Sequence, residues 1–67
     1  MRKAFIIGLK GLKLTKSEIL FIKENKPWGV ILFSRNIKNL HQLKSLTRNI
    51  KNTINDKKYP ILIDQEG

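Results

Sequence analysis

Apolar and polar positions alternate in blocks along the chain. Ala4-Phe5-Ile6-Ile7-Gly8-Leu9 is apolar at every position and is bounded by charge. A run without polar alternation suits a strand covered on both faces, as in a parallel sheet. Thr15-Lys16-Ser17-Glu18 has the form of a capping box, a hydroxyl at the N-cap and a carboxylate three residues on. It predicts a helix in which Ile19, Leu20, Phe21 and Ile22 crowd one broad side. That helix is expected to stop near Asn25, because Pro27 lacks the N–H needed to continue it. Trp28-Gly29-Val30-Ile31-Leu32-Phe33 predicts a second buried strand, ended by Ser34-Arg35-Asn36. Asn39 with Gln42 is a second capping-box candidate. Leu40, Leu43, Leu46, Ile50 and Ile54 then recur at helical steps and form the clearest stripe in the chain. This stripe is expected to pack on the sheet, with Lys44, Arg48 and Lys51 on the other face. After a polar loop at 55–58, Tyr59-Pro60-Ile61-Leu62-Ile63 predicts a third strand, with Pro60 tolerable at its start.

The resulting order is β-α-β-α-β, an α/β pattern. Helical crossovers between successive strands favour a parallel sheet. Two architectures begin this way, the doubly wound sheet and the (β/α)8 barrel, and both collect function at the C-terminal ends of the strands. Three strands cannot close a barrel, and a chain that stops just past a strand reads as truncated. Exposed sheet edges and aggregation are the expectation if the 67 residues are made alone.

Three strand ends therefore hold the candidate chemistry: Leu9-Lys10-Gly11, Ser34-Arg35-Asn36 and Asp64-Gln65-Glu66-Gly67. Asp64 directly follows an apolar run, which places a carboxylate at the mouth of the sheet. Such a group accepts charge-assisted hydrogen bonds from ligand hydroxyls and fixes their orientation. The alternative is a turn or cap aspartate. Glu66 is a candidate second contact or the partner of a cation. An acid/base role for the Asp64–Glu66 pair depends on their separation and surroundings. Arg35 is a candidate for an anionic ligand group or for pairing with Asp64 or Glu66, against a plain loop arginine. His41 stands alone in a first helical turn and reads as a solvated or cap-associated imidazole. Trp28 reads as packing against a helix, with a stacking platform as the sharper alternative.

Composition narrows the field. The chain has 67 residues and no cysteine, and His41 is its one histidine. Disulfides, thiolate sites and a multi-histidine zinc cage are excluded, and neither metal nor cofactor is expected. No GxGxxG or Walker pattern is present. The net charge of +9 raises a second class of function, a small basic nucleic-acid-binding or interaction module. However, 11 of the 14 cations are lysine, and Lys, Asn and Ile make up 27 of the 67 residues. All three are specified by A/T-rich codons, so genome bias accounts for the charge without any binding. Binding to nucleic acid that survives ~200 mM salt would favour the basic-module reading, since phosphate-driven binding weakens steeply with ionic strength. No segment approaches the roughly 18 apolar residues of a membrane span. The first apolar run is shorter than the ~7–15 residues of an export signal, and a cytoplasmic location is the expectation.

Pro27-Trp28-Gly29-Val30-Ile31-Leu32-Phe33-Ser34-Arg35-Asn36, the Gln42-Leu43 helix and Ile61-Leu62-Ile63-Asp64-Gln65-Glu66-Gly67 together resemble the N-terminal domain of glycoside hydrolase family 3. The branch they resemble is the bacterial β-N-acetylhexosaminidases of cell-wall recycling. The likeness runs over roughly residues 4–67. It implies that the 67 residues are the N-terminal fragment of a (β/α)8 TIM-type barrel. It also implies retaining hydrolysis of terminal β-linked N-acetylglucosamine in muropeptide-like glycosides, through a covalent glycosyl-enzyme. By the same resemblance, the aspartate of Asp-Gln-Glu-Gly binds sugar hydroxyls, and this residue is Asp64 here. The family nucleophile and its His-Asp acid/base pair match no position in this sequence, so no catalytic residue is assigned, and His41 matches neither. The motif stops at its first glycine, without the second glycine of the family pattern. A family 3 β-glucosidase is the alternative activity, because a glucose site shares the Asp64-type contact.

Overall fold

The computed structural model describes residues 3–64. Its element order is β1 (Lys3–Gly8), α1 (Lys16–Asn25), β2 (Pro27–Leu32), a 3-10 turn (Ser34–Asn36), α2 (Leu40–Ile54) and β3 (Ile61–Ile63). The three strands form one parallel sheet in the order β1-β2-β3, with β2 in the centre. The predicted β-α-β-α-β order and parallel pairing are thus present. Strand boundaries shift slightly: Leu9 and Phe33 lie just past their strands, and Tyr59 and Pro60 precede β3 rather than belonging to it.

Capping explains where the helices start and stop. Thr15 accepts from Glu18 N at 3.1 Å, and the Glu18 carboxylate accepts from Thr15 N at 2.9 Å, which completes the reciprocal box. α1 ends on Lys26, which adopts the left-handed conformation at φ 46° just before Pro27. Asn39 caps α2 by accepting from Gln42 N at 2.8 Å. Here the second half of the expected box is absent. The Gln42 side chain accepts from Lys38 N instead and turns its amide nitrogen elsewhere.

Residues paired across a parallel ladder share a face, and the face alternates along each strand. Ile7, Val30 and Ile61 form one row and look toward the helices. There Leu9, Val30, Leu32, Leu46, Ile50 and Tyr59 build the core. Gly8, Ile31 and Leu62 form the adjacent row on the opposite face. Among the described residues that face carries no helix, and Ile6 and Leu62 are 45% and 43% exposed. The expectation of strands covered on both sides is therefore corrected: among the described residues one face is packed and one is open. The helical stripes are also narrower than expected. Leu46 and Ile50 are buried in α2 but Leu40 is exposed, and in α1 only Ile22 is buried. Phe21, half exposed, meets Phe5 edge to face at 6.1 Å.

The N-terminal ends of the strands are tied by one buried polar bond. The Tyr59 hydroxyl donates to Pro27 O at 2.7 Å. Trp28, expected against a helix, is 49% exposed and shares a shallow hollow with Ala4, Phe5 and Ile6. Trp28 lies on the helix side of β2, in line with Val30 and Leu32, but at the N-terminal end of the strand, where the described helices leave it half exposed.

Candidate functional site

The loops after the three strands meet at one edge of the sheet. β1 runs into Leu9, Lys10 and Gly11, β2 into the 3-10 turn, and β3 into Asp64. The Asp64 backbone continues the ladder by donating its N–H to Leu32 O at 2.8 Å. Its side chain is exposed, and among the described residues no donor occupies its carboxylate. A carboxylate held by its backbone and open at its oxygens can accept from ligand hydroxyls. Glu66 lies outside the described residues, so its proposed contact cannot be placed against Asp64.

Arg35 stands at the same edge, on the 3-10 turn. Its Nε donates to Leu9 O at 3.1 Å, and its guanidinium lies 4.8 Å from the Phe33 ring centroid. Among the described residues it makes no ion pair with Asp64. The guanidinium spans from β2 back to β1, and the bare backbone of Gly8 leaves room for it. A Cβ at Gly8 would come 3.4 Å from Phe33 Cε2 and 3.7 Å from Arg35 Nη2. The cation is thus fixed by a carbonyl and a ring face, while its exposed edge remains open to an anionic or polar group.

Sequence reasoning missed the polar side chains that hold these loops together. Asn36 is fully buried. Its Nδ2 donates to Leu9 O at 3.1 Å and to Gly11 O at 2.7 Å, and its Oδ1 accepts from Phe33 N at 2.9 Å. The Gln42 Nε2 donates to Leu12 O at 2.7 Å and Asn36 O at 2.9 Å. Glu18 uses its second oxygen to accept from Lys10 N at 2.9 Å. Three side chains thereby pin the β1–α1 loop, and no buried side-chain polar atom lacks a partner among the described residues. Each residue type is ordinary in a loop or cap; Glu18 and Gln42, each three residues after an N-cap, carried a signal for the cap but not for the loop contact, and Asn36 carried none for its burial.

A more voluminous hollow lies elsewhere. A groove of about 790 Å³ runs between α1 and α2, with His41 and Gln42 on its wall and neither Asp64 nor Arg35. It is an open crease between two surface helices and contains no carboxylate. The chemistry of the strand ends outweighs the size of the groove, because a site needs converging polar groups as well as volume.

No family model matches the chain. Individual proteins do. A β-hexosaminidase of Haemophilus influenzae is 36% identical over 66 residues, which is 96% of this chain and 18% of that protein. A β-hexosaminidase of Histophilus somni is 38% identical over 64 residues. The fold agrees: native NagZ from Neisseria gonorrhoeae superposes with a TM-score of 0.83 at 33% identity, over 98% of this chain and 19% of that one. Over nearly all of its length the chain is similar to bacterial β-hexosaminidases, the branch of glycoside hydrolase family 3 that its motifs resemble. It spans about a fifth of the length of these relatives. The same NagZ has also been solved with N-trifluoroacetyl-D-glucosamine bound. Among β-hexosaminidases, then, the described residues correspond to one parallel β-α-β-α-β segment whose strand ends carry Asp64 and Arg35. No described helix is long and apolar enough to cross a membrane.

Proposed function

We propose that this chain forms the opening units of a (β/α)8 barrel, residues 1–67 being the N-terminal part of a family 3 domain. We propose further that the barrel hydrolyses terminal β-linked N-acetylglucosamine with retention of configuration. The observation that carries the reading is Asp64. Its carboxylate sits at the C-terminal end of β3, with its backbone fixed and its oxygens open, in a chain homologous to β-hexosaminidases. In barrels of this type the reacting groups come from strand ends, and each strand contributes a wall of the site. Asp64 would accept hydrogen bonds from sugar hydroxyls. Arg35 would line the adjacent wall, with Glu66 as a second contact. The nucleophile and the acid/base match no residue of the 67, so this chain supplies binding rather than bond cleavage.

The substrate class follows from the family: glycosides ending in N-acetylglucosamine, with muropeptide-like fragments of the cell wall as the natural form and the cytoplasm as the place of action. The experiment is hydrolysis of a chromogenic β-N-acetylglucosaminide by the protein expressed from its complete reading frame, beside its Asp64→Ala variant. Turnover that falls at least a hundredfold on substitution supports the reading. Equal turnover of a β-glucoside would move the activity to a β-glucosidase. Absence of turnover on both, from folded protein, would overturn it.

A further inference from the structure

We propose that Asn36 is a positioning residue that sets the placement of Asp64 by holding the one peptide unit to which Asp64 is bonded. The inference rests on the reading of Asp64 as a sugar contact, and its mechanical part is testable without that reading. A trans peptide is planar, so its C=O and N–H point in opposite directions. The unit joining Leu32 to Phe33 lies at the end of the central strand. Its C=O points toward β3 and accepts from Asp64 N at 2.8 Å. Its N–H, belonging to Phe33, points the other way and donates to Asn36 Oδ1 at 2.9 Å. Where β1 has already ended, the Asn36 side chain takes the place of the missing strand.

The same amide group reaches β1. Both Nδ2 protons are used, on Leu9 O and Gly11 O. Asn36 therefore has one acceptor contact on β2, two donor contacts on the β1 loop and, through one rigid peptide, a link to β3. An amide is the side chain that matches this pattern, with an acceptor and two donors in one plane. Aspartate would keep the acceptor and lose both donors. Asn36 is fully buried, so water does not replace what a substitution removes. Arg35 adds a second donor to Leu9 O but none to the peptide unit. No other described side chain spans all three strand ends.

The test uses the protein from its complete reading frame. The first readout is amide hydrogen exchange. Asn36→Ala is expected to speed exchange at Asp64 by about tenfold. Val30, whose N–H is held by Pro60 O at the far end of the same strands, should stay within twofold. Asp64 and Val30 moving together, or Asp64 not moving, overturns the proposal. If Asn36→Ala does not fold, the unaltered protein decides. A through-hydrogen-bond coupling from Phe33 N–H to the Asn36 side-chain carbonyl is expected, and its absence overturns the link. The second readout is a double-substitution cycle on the chromogenic β-N-acetylglucosaminide. Asn36→Ala should raise KM about tenfold with kcat nearly unchanged, and should have no further effect in an Asp64→Ala background. Effects that multiply would mean that Asn36 acts by another route. If Asp64→Ala itself leaves kcat/KM unchanged, the sugar-contact reading fails, while the exchange result still decides whether Asn36 governs Asp64.

Discussion

Removing the Tyr59 hydroxyl separates the stabilising end of this sheet from its functional end. Tyr59 and Pro27 are both almost fully buried, and the hydroxyl donates to Pro27 O at 2.7 Å. Tyr59→Phe keeps the ring in place among Leu9, Val30 and Ile50, so no cavity opens. What changes is the carbonyl of Pro27, which loses this buried donor. A buried acceptor left without its donor costs about 1–3 kcal/mol, against a net value of about 1 kcal/mol for the bond itself. The expected loss is therefore about 2 kcal/mol. With a urea slope of about 2 kcal/mol per molar, the midpoint should fall by about 1 M. The bond lies at the N-terminal ends of β2 and β3, where a barrel keeps its stabilising contacts, whereas Asp64 lies at the opposite ends. Turnover measured well below the unfolding midpoint should accordingly stay unchanged. A midpoint shift below about 0.2 M would mean that the hydroxyl bond contributes little. A fall in turnover at full stability would refute the division of the sheet into two ends.

Other substitutions test single contacts. Gly29→Ala would place a Cβ 3.0 Å from Pro60 O and 3.3 Å from Pro60 Cβ, so it should push β3 away and cost about 1–3 kcal/mol, whereas Gly11→Ala, with open space around it, should unfold at nearly the same midpoint. Lys26 holds φ at 46°, where a side chain costs about 1 kcal/mol, and Lys26→Gly should raise the urea midpoint despite the added freedom of the unfolded chain. Glu18→Ala removes acceptors from both Thr15 N and Lys10 N; a loss of about 1–2 kcal/mol is expected, with faster amide exchange at Lys10.

The sequence made the backbone plan legible because each element is signalled locally. Thr15 and Glu18 announce α1, Asn39 announces α2, and the spacing of Leu43, Leu46, Ile50 and Ile54 selects the face that meets the sheet. The position of Asp64 at the end of β3 was legible for the same reason, as an acid that directly follows an apolar strand. Asn36 was not. Its role depends on where β1 ends and which peptide of β2 is left without a neighbour, and these are relations between positions about 25 residues apart. Gln42 was read as the second half of a local box, and the nearby carbonyls of Leu12 and Asn36 won its amide instead. Arg35 was placed at the right edge, but a ring face and a carbonyl hold it, both closer to hand than Asp64.

The two-sided apolar pattern of the strands has a consequence of its own. In the row Leu32–Ile63, Leu32 is fully buried beneath the helices while its partner Ile63 is 46% exposed, so the helical cover thins out at β3. On the other face, Ile6 and Leu62 are exposed; Trp28 lies on the helix side of β2 with Val30 and Leu32, but at the N-terminal end of the strand it too is 49% exposed. Apolar residues at strand positions gain about 25 cal/mol for each Å² withdrawn from water, so a sequence that places them on both faces fits a sheet covered on both. Relatives about five times as long as this chain have the residues to provide that cover. If the segment opens a barrel, the face opposite the helices turns inward, while on the helix side the rest of the outer helical ring extends its cover to the strand ends, so that Trp28 moves into a drier environment. Its fluorescence reports this directly, because it is the one tryptophan of the 67. With any other tryptophans replaced, emission from the protein of the complete reading frame should lie at shorter wavelength than that of the 67-residue chain, and acrylamide should quench it less. Equal emission and equal quenching would show that the hollow at Trp28 stays open to water in the longer protein, and would refute the idea that a completed helical ring covers it.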